Sequence, residues 1–429
     1  MNYKVSKFIT RSFLFFFLFV FEMASLAAQQ VIEGIHYHTG QPVRVTINNG
    51  MIENIIILDK PAGENPVYIA PGFFDNQVNG FAGVSFAFGD SDLTPEGIEK
   101  ATTELWKKGV TTYLPTLTTN SIDVLTRNFE ILSKSVDDEN LLGSIPGFHL
   151  EGPYINPEDG FRGAHPKQYV KLPDWNEFLK LYEVSGKNIL QLTLAPEMEG
   201  GLDLITKCSQ AGIVVALGHH NADMKTVTAA IDRGAKIATH LGNGAANMIN
   251  RHYNPFWPQL ADDRLNISII CDSFHLLPEE IQVFYIVKGV EKTIITSDVT
   301  HYAALEPGEY KTSTGEIIEL TKDGMLRYPA QNVLYGSASP ITKGVGYVMQ
   351  VTGCTLADAV QMASTNPARL YNLSDRGLLE PGKRADIVLF TLDDFQVNIQ
   401  ETWVKGKKVY ENLNSNIQKT NSKYQKTNK

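Results

Sequence analysis

Polar side chains able to hold a metal ion or move a proton recur along this chain just after short β-like runs: Gln77 and Asn79, Glu151, Glu197, His219, His240, His275 and Asp298. One carboxylate and two imidazoles are the three protein ligands of a catalytic zinc site that keeps a position for water. A further carboxylate outside the ligand set supplies a general base. Taken singly, each residue has a plainer reading. A strand-end histidine can be a hydrogen-bonded structural residue, Glu151 before Gly152-Pro153 can decorate a turn, and Asp298 in ITSDVT can cap a helix. The case rests on their falling together.

The elements that must bring them together are legible as one repeated phrase, a β-rich stretch ending in polar residues followed by a helical pattern. The expected strands are Ala70–Val78, Gly109–Leu117, Ser144–Leu150, Asn188–Ala195, Ile213–Leu217, Lys236–Thr239, Leu265–Cys271 and Glu291–Thr296. Helices fit between most of them, among them Thr94–Lys108 and Met224–Arg233. Strands alternating with helices over roughly 250 residues predict an α/β fold, a (β/α)8 TIM barrel. An open doubly wound sheet is the alternative, and its usual glycine-rich first turn is missing. In the barrel all strand ends converge on one face, where active sites are built. Side-chain alternation puts His149 on the same side as Glu151.

Strand patterns at Val43–Ile47, Ile52–Leu58, Ala385–Asp393 and Glu401–Glu411 flank this middle. They predict a small β-sandwich domain built from both ends of the chain. Residues 29–69 and 378–412 would form it, 70–377 the barrel, and the polar residues 413–429 a disordered tail. Residues 1–28 carry Lys4, Lys7 and Arg11 before SFLFFFLFVF and then ASLAAQQ, the order of a secretory signal peptide. That apolar run is too short for a bilayer core needing roughly 20 residues. An exported protein, periplasmic or secreted, without stable membrane insertion after cleavage is therefore expected. The net charge of −9 argues against nucleic acid. Cys208, Cys271 and Cys354 are too few and too scattered for a disulfide framework.

The motifs then resemble a known family. APGFFDNQVNG from Ala70, HLEGPY from His149, GAHP from Gly163, LAPE from Leu194, GHHNAD from Gly218, ATHLGN from Ala238, TSD from Thr296 and LYGSASP from Leu334 occur in order, closed by RGLLEPGKRADIVLF. The chain from about Val43 to Tyr410 resembles the amidohydrolase superfamily and, within it, the N-acetylglucosamine-6-phosphate deacetylases. The resemblance implies Glu151, His219 and His240 as metal ligands, His219 rather than His220, and Asp298 as the catalytic carboxylate. It implies substrate contacts from Ala164, His165, Asn243, Gly244, Arg251 and His275, with Leu334, Tyr335 and Gly336 closing over the site. Gln77 and His149 would support metal or water.

Members with two metals carry His-x-His on the first strand, where this chain has Gln77 and Asn79. Carboxamides are poor ligands for a transition metal, so one divalent ion per chain is expected, zinc by its ligand set. Ordinary turn chemistry before Gly80 accounts for the same two residues. The family implies hydrolysis of an N-acetyl amino sugar and a homodimer. The phrase GNGAANMINRHYNP departs from the phosphate-specific pattern, and export favours, over a cytosolic sugar phosphate, the alternative of an unphosphorylated N-acetyl sugar, an N-acyl amino acid or another amide. A non-catalytic binding protein on the same barrel is the reading from a different class.

Overall fold

The computed structural model describes residues 29–59, 65–88, 92–312, 315–330 and 333–413. The expected signal peptide and all but the first residue of the expected tail lie outside the described residues.

Eight parallel strands follow one another in chain order: β1 (Phe73–Val78), β2 (Val110–Thr118), β3 (Phe148–Glu151), β4 (Ile189–Leu194), β5 (Val214–Leu217), β6 (Ala235–Ala238), β7 (Asn266–Ile270) and β8 (Thr293–Thr296). Helices cover their outer face, so the strands are buried on both sides and read as nearly unbroken buried runs. The ring closes where β1 meets the segment after β8. A parallel bridge joins Val78 to Val299, and the Asn79 N–H donates to the Val299 carbonyl at 2.8 Å. Asp75, buried on β1, accepts bonds from the Ser297 N–H at 3.1 Å, the Thr296 hydroxyl at 3.2 Å and the Ser297 hydroxyl. Burial pushes its pKa up to about 6.

The barrel interior is layered. An apolar layer holds Phe74, Leu114, Ala216, Ile237 and Ile294, with Tyr371 packed against it. Beside it runs a hydrogen-bonded polar layer: Tyr371 donates to Gln191, Gln191 meets His149 at 3.0 Å, His149 meets Thr193 at 2.8 Å, and Thr193 meets Thr239 at 2.8 Å. Local sequence sets the helices. Thr94, Ser121 and Asp223 each accept a backbone N–H at the start of Pro95–Trp106, Ile122–Leu132 and Met224–Asp232.

Both ends of the chain contribute to one hydrogen-bonded sheet of seven strands. Tyr68–Pro71 is its hinge, pairing parallel with Gln30–His36 and antiparallel with Ile387–Asp393. This sheet therefore takes the chain through Pro71, two residues past the expected boundary. The stretch expected as one strand from Glu401 is a hairpin, Gln396–Val404 and Lys407–Glu411, because Lys405-Gly406 turns with positive φ. An element the sequence did not suggest follows β8: a four-stranded antiparallel sheet of Gly308–Lys311, Ile317–Leu320, Leu326–Tyr328 and Val333–Leu334. Among the described residues no helix is long and apolar enough to cross a membrane. The three cysteines are free.

Barrel and small sheet lock together at helix Ile341–Thr352. A Cβ on Gly346 would stand 1.8 Å from the backbone oxygen of Phe395, in the turn between two strands of the small sheet. Gly346→Ala should therefore cost about 1–3 kcal/mol through overpacking and lower the thermal midpoint. Gly308→Ala, with open space around its Cβ, should leave it unchanged in the same melts.

Candidate active site

His219, His240 and Asp298 stand two residues beyond the ends of β5, β6 and β8, and all three take positive φ: 53°, 29° and 53°. Non-glycine residues rarely adopt this region, and such strain collects at functional sites. Here it re-aims three strand ends toward the barrel axis, where Glu151 ends β3.

Glu151 is 2% exposed and is the centre of the cluster. Its Oε1 lies 2.8 Å from His240 Nε2 and 3.3 Å from His219 Nε2, and its Oε2 lies 3.8 Å from His165 Nε2. Ligand atoms of Glu151, His165 and His219 fall within 4.8 Å of one another. Burial alone would raise the Glu151 pKa, but the His219 and His240 contacts outweigh it and hold the carboxyl well below its usual range. Burial would lower the His240 pKa, but its contact with Glu151 outweighs this and raises it. His165 is pushed down to about 3, by burial first and by the neighbouring His219 second.

His219 and His165 are oriented from behind, whereas His240 Nδ1 is buried without a hydrogen-bond partner. His219 Nδ1 meets the Phe161 carbonyl at 3.0 Å, which fixes that nitrogen as the donor and leaves Nε2 as a lone pair. That Nε2 is buried without a hydrogen-bond partner. The ring lies between Gly163 and Gly244, both at positive φ; a Cβ on Gly244 would come within 2.7 Å of Nδ1, and one on Gly163 within 3.1 Å of Cε1. His165 Nδ1 is held by the Thr119 hydroxyl at 2.8 Å. A buried carboxylate beside an imidazole nitrogen with a free lone pair is a donor set that fits a divalent cation.

Asp298 faces this cluster. Its Oδ1 accepts from Gln77 Nε2 at 2.9 Å and Asn79 Nδ2 at 2.7 Å, while the same Gln77 nitrogen reaches Glu151 Oε1 at 3.0 Å. Burial and then the Glu151 charge raise the Asp298 pKa. A cavity of about 420 Å³ opens above. Glu151, His165, His219, His240, Asn243, Gly244, His275 and Asp298 line it, together with Ala164 and the Leu334, Tyr335 and Gly336 loop.

Some residues singled out in the sequence stand elsewhere. Arg251 is exposed and does not line the cavity; its carbonyl accepts from Trp257 Nε1 at 3.0 Å. His149 lies in the polar layer, bonded to Thr193 and Gln191 and not to Glu151, with its pKa lowered to about 4 by burial. Glu197 binds Asn156 and the Asn221 N–H, and His220 turns away from the cavity to accept from the Ala222 N–H. Conversely, Phe88, Thr118, Asn247 and Thr300 line the cavity without having been singled out. They carry no unusual residue type or spacing, so only the fold reveals them.

Known proteins resemble this chain in sequence and fold. The amidohydrolase family model matches residues 68–409. The N-acetylglucosamine-6-phosphate deacetylase of Bos taurus is 32% identical over 354 residues, 80% of this chain and 83% of that one. The N-acetylgalactosamine-6-phosphate deacetylase of Escherichia coli O157:H7 is 29% identical over 340 residues, 79% and 87% of the two chains. The structure of a mutant N-acetyl-D-glucosamine-6-phosphate deacetylase from Mycobacterium smegmatis, in complex with N-acetyl-D-glucosamine-6-phosphate, superposes with a TM-score of 0.78 at 26% identity, covering 89% of this chain and 99% of that one. The chain belongs to the amidohydrolase family, as a hydrolase of non-peptide carbon–nitrogen bonds similar to its amino-sugar-phosphate deacetylases.

Proposed function

We propose that this protein removes the acetyl group from an N-acetylated amino sugar, with Asp298 carrying the proton. The observation that carries this reading is the pinning of one Asp298 oxygen by two carboxamides beside the buried Glu/His cluster, at the base of a sugar-sized cavity. With Oδ1 occupied by Gln77 and Asn79, Oδ2 is the oxygen left for proton transfer. Glu151, His219 and His240 would hold one divalent ion, zinc by its nitrogen and carboxylate donors. Such an ion supplies Lewis acidity toward a carbonyl oxygen and toward water.

The residues then perform amide hydrolysis in two halves. Oδ2 of Asp298 takes a proton from the attacking water as its oxygen bonds to the acetyl carbonyl carbon. The acid so formed returns that proton to the nitrogen as the C–N bond breaks, giving acetate and a free amine. Protonation of the leaving nitrogen is required because an amide anion is too basic to depart. The raised pKa of Asp298 suits both roles, since a base and an acid in turn work best when their pKa lies nearer the working pH. His165, the Ala164 and Gly244 backbone, Asn243 and His275 would hold the sugar, with residues 334–336 as the roof.

A second reading concerns the far end of the substrate. None of the described residues lining the cavity is a lysine or arginine, which favours an unphosphorylated N-acetyl sugar over a sugar phosphate. The basic, apolar and small-residue order of the first 28 residues supports export, and hence the same reading. A homodimer is the partner this proposal carries. Its support is the segment bearing Arg251, which also exposes Met248 at 91%, Tyr253 at 74% and Trp257 at 52%.

A panel of N-acetyl sugars, their phosphates and N-acyl amino acids, scored for released acetate or amine, tests the function. Turnover only of N-acyl amino acids would overturn it. Asp298→Asn should keep the bound metal and lose about 10²–10⁴-fold in kcat, read by steady-state rates alongside metal analysis. Adding zinc to metal-free protein should raise the thermal midpoint, since a ligand that binds only the folded state stabilises it. His240→Ala should abolish that rise. His165→Ala should retain it while losing activity, and the opposite pattern would make His165 the ligand.

A further inference from the structure

Asp272 stands two residues beyond the end of β7, is 4% exposed and does not line the cavity. All its acceptor contacts are with two near neighbours, Phe274 and His275, and with one loop residue, Ser337. Oδ1 accepts the N–H groups of Phe274 and His275, each at 2.9 Å. Oδ2 lies 2.8 Å from His275 Nδ1 and accepts the Ser337 hydroxyl at 3.4 Å. Burial alone would raise the Asp272 pKa, yet the His275 contacts outweigh it and keep the group a carboxylate. A carboxylate can only accept, so Nδ1 of His275 must carry a hydrogen, and Nε2 is the atom left to the cavity that His275 lines. Ser337 extends the connection: its N–H donates to the Asp298 carbonyl at 3.2 Å, and it directly follows the 334–336 roof.

We propose that Asp272 is a positioning residue for substrate binding, acting through His275 by fixing which ring nitrogen is protonated and aiming Nε2 at a polar group of the sugar. The proposal rests on the reading that His275 contacts substrate. In the neutral ring, Nε2 accepts from a sugar hydroxyl; in the charged ring it donates. Asp272 keeps the ring's orientation the same in both.

Asp272→Asn tests it with little change of shape. The two backbone N–H groups keep the amide oxygen on their side, so the amide nitrogen must face His275 Nδ1. It donates there and drives the ring proton to Nε2. With the substrate found in the panel, KM should rise about tenfold or more while kcat changes far less. In a His275→Ala background the same substitution should add nothing to KM. Nitrogen-15 histidine spectra, assigned by the loss of one resonance set in His275→Ala, should show the Nδ1–H tautomer or the doubly protonated ring in wild type, and Nε2–H in Asp272→Asn. A neutral Nε2–H ring at His275 in the wild-type protein overturns the proposal even if the variant does not fold. So does a KM effect of Asp272→Asn that persists undiminished in the His275→Ala background. Absence of turnover of every panel compound by wild type instead overturns the deacetylase reading, which the tautomer measurement does not touch.

Discussion

The rim of this barrel is organised around one buried negative charge. Glu151 ends β3 almost without contact with solvent, and desolvating a carboxylate costs several kcal/mol unless opposite charge and hydrogen bonds compensate it. Among the described residues no lysine or arginine does so; hydrogen bonds come from His240 and the Gln77 amide, with His219 and His165 beside them. Neutral imidazoles are weak partners for a carboxylate, but with the Nε2 lone pairs of His219 and His240 turned inward they and Glu151 would serve as ligands to a cation. The His219 contact with the Phe161 carbonyl imposes that inward orientation, and the paired glycines around the ring leave it little room to turn.

The strain at this rim has the same origin. A parallel barrel delivers its strand ends in a ring, but the side chains at the ends do not all point to the axis. At β5, β6 and β8 the chain takes a left-handed residue to turn His219, His240 and Asp298 inward, at about 1–2 kcal/mol each. The scaffold must hold these residues against their own preference. At Asp298 it does so through closure: Asp75 ties β1 to Ser297, the neighbour of Asp298, and the Val78–Val299 bridge seals the seam on the other side of it. The catalytic reading of Asp298 therefore rests on a residue fixed from both flanks by the barrel's own seam.

This explains what the sequence could and could not convey. Eight apolar runs at regular intervals marked the strands, because a strand buried on both faces must be apolar almost throughout. Glu151, His219, His240 and Asp298 stood out because charged or metal-binding residues interrupt those runs at their ends. The sheet of residues 308–334 left no such mark, since only one side of it is buried and Ile317–Leu320 alone reads as apolar alternation. Arg251 shows the limit of motif spacing: the right residue at the right distance from His240 says nothing about which way an exposed loop faces. Asp272 escaped notice for the opposite reason. Its four acceptor contacts are with residues up to 65 positions away, and nothing in the run CDSFH separates a turn-capping aspartate from one that sets a histidine's tautomer.

Gln77 and Asn79 bear most directly on the chemistry. Glu151 and Asp298 share the Gln77 amide nitrogen, so the two carboxylates sit close enough for the Glu151 charge to add to burial in raising the Asp298 pKa. Imidazoles in place of these carboxamides could bind a second cation there. A second positive charge would relieve the repulsion and also draw down the proton affinity of Asp298. Amide donors orient the carboxylate without bringing a full charge: the Asn79 hydrogen bond lowers the Asp298 pKa, and burial and the Glu151 charge outweigh it. A proton acceptor of greater basicity suits the first half of amide hydrolysis, in which the attacking water gives up its proton. The two carboxamides on β1 and just beyond it are thus matched to the single-ion site proposed above them.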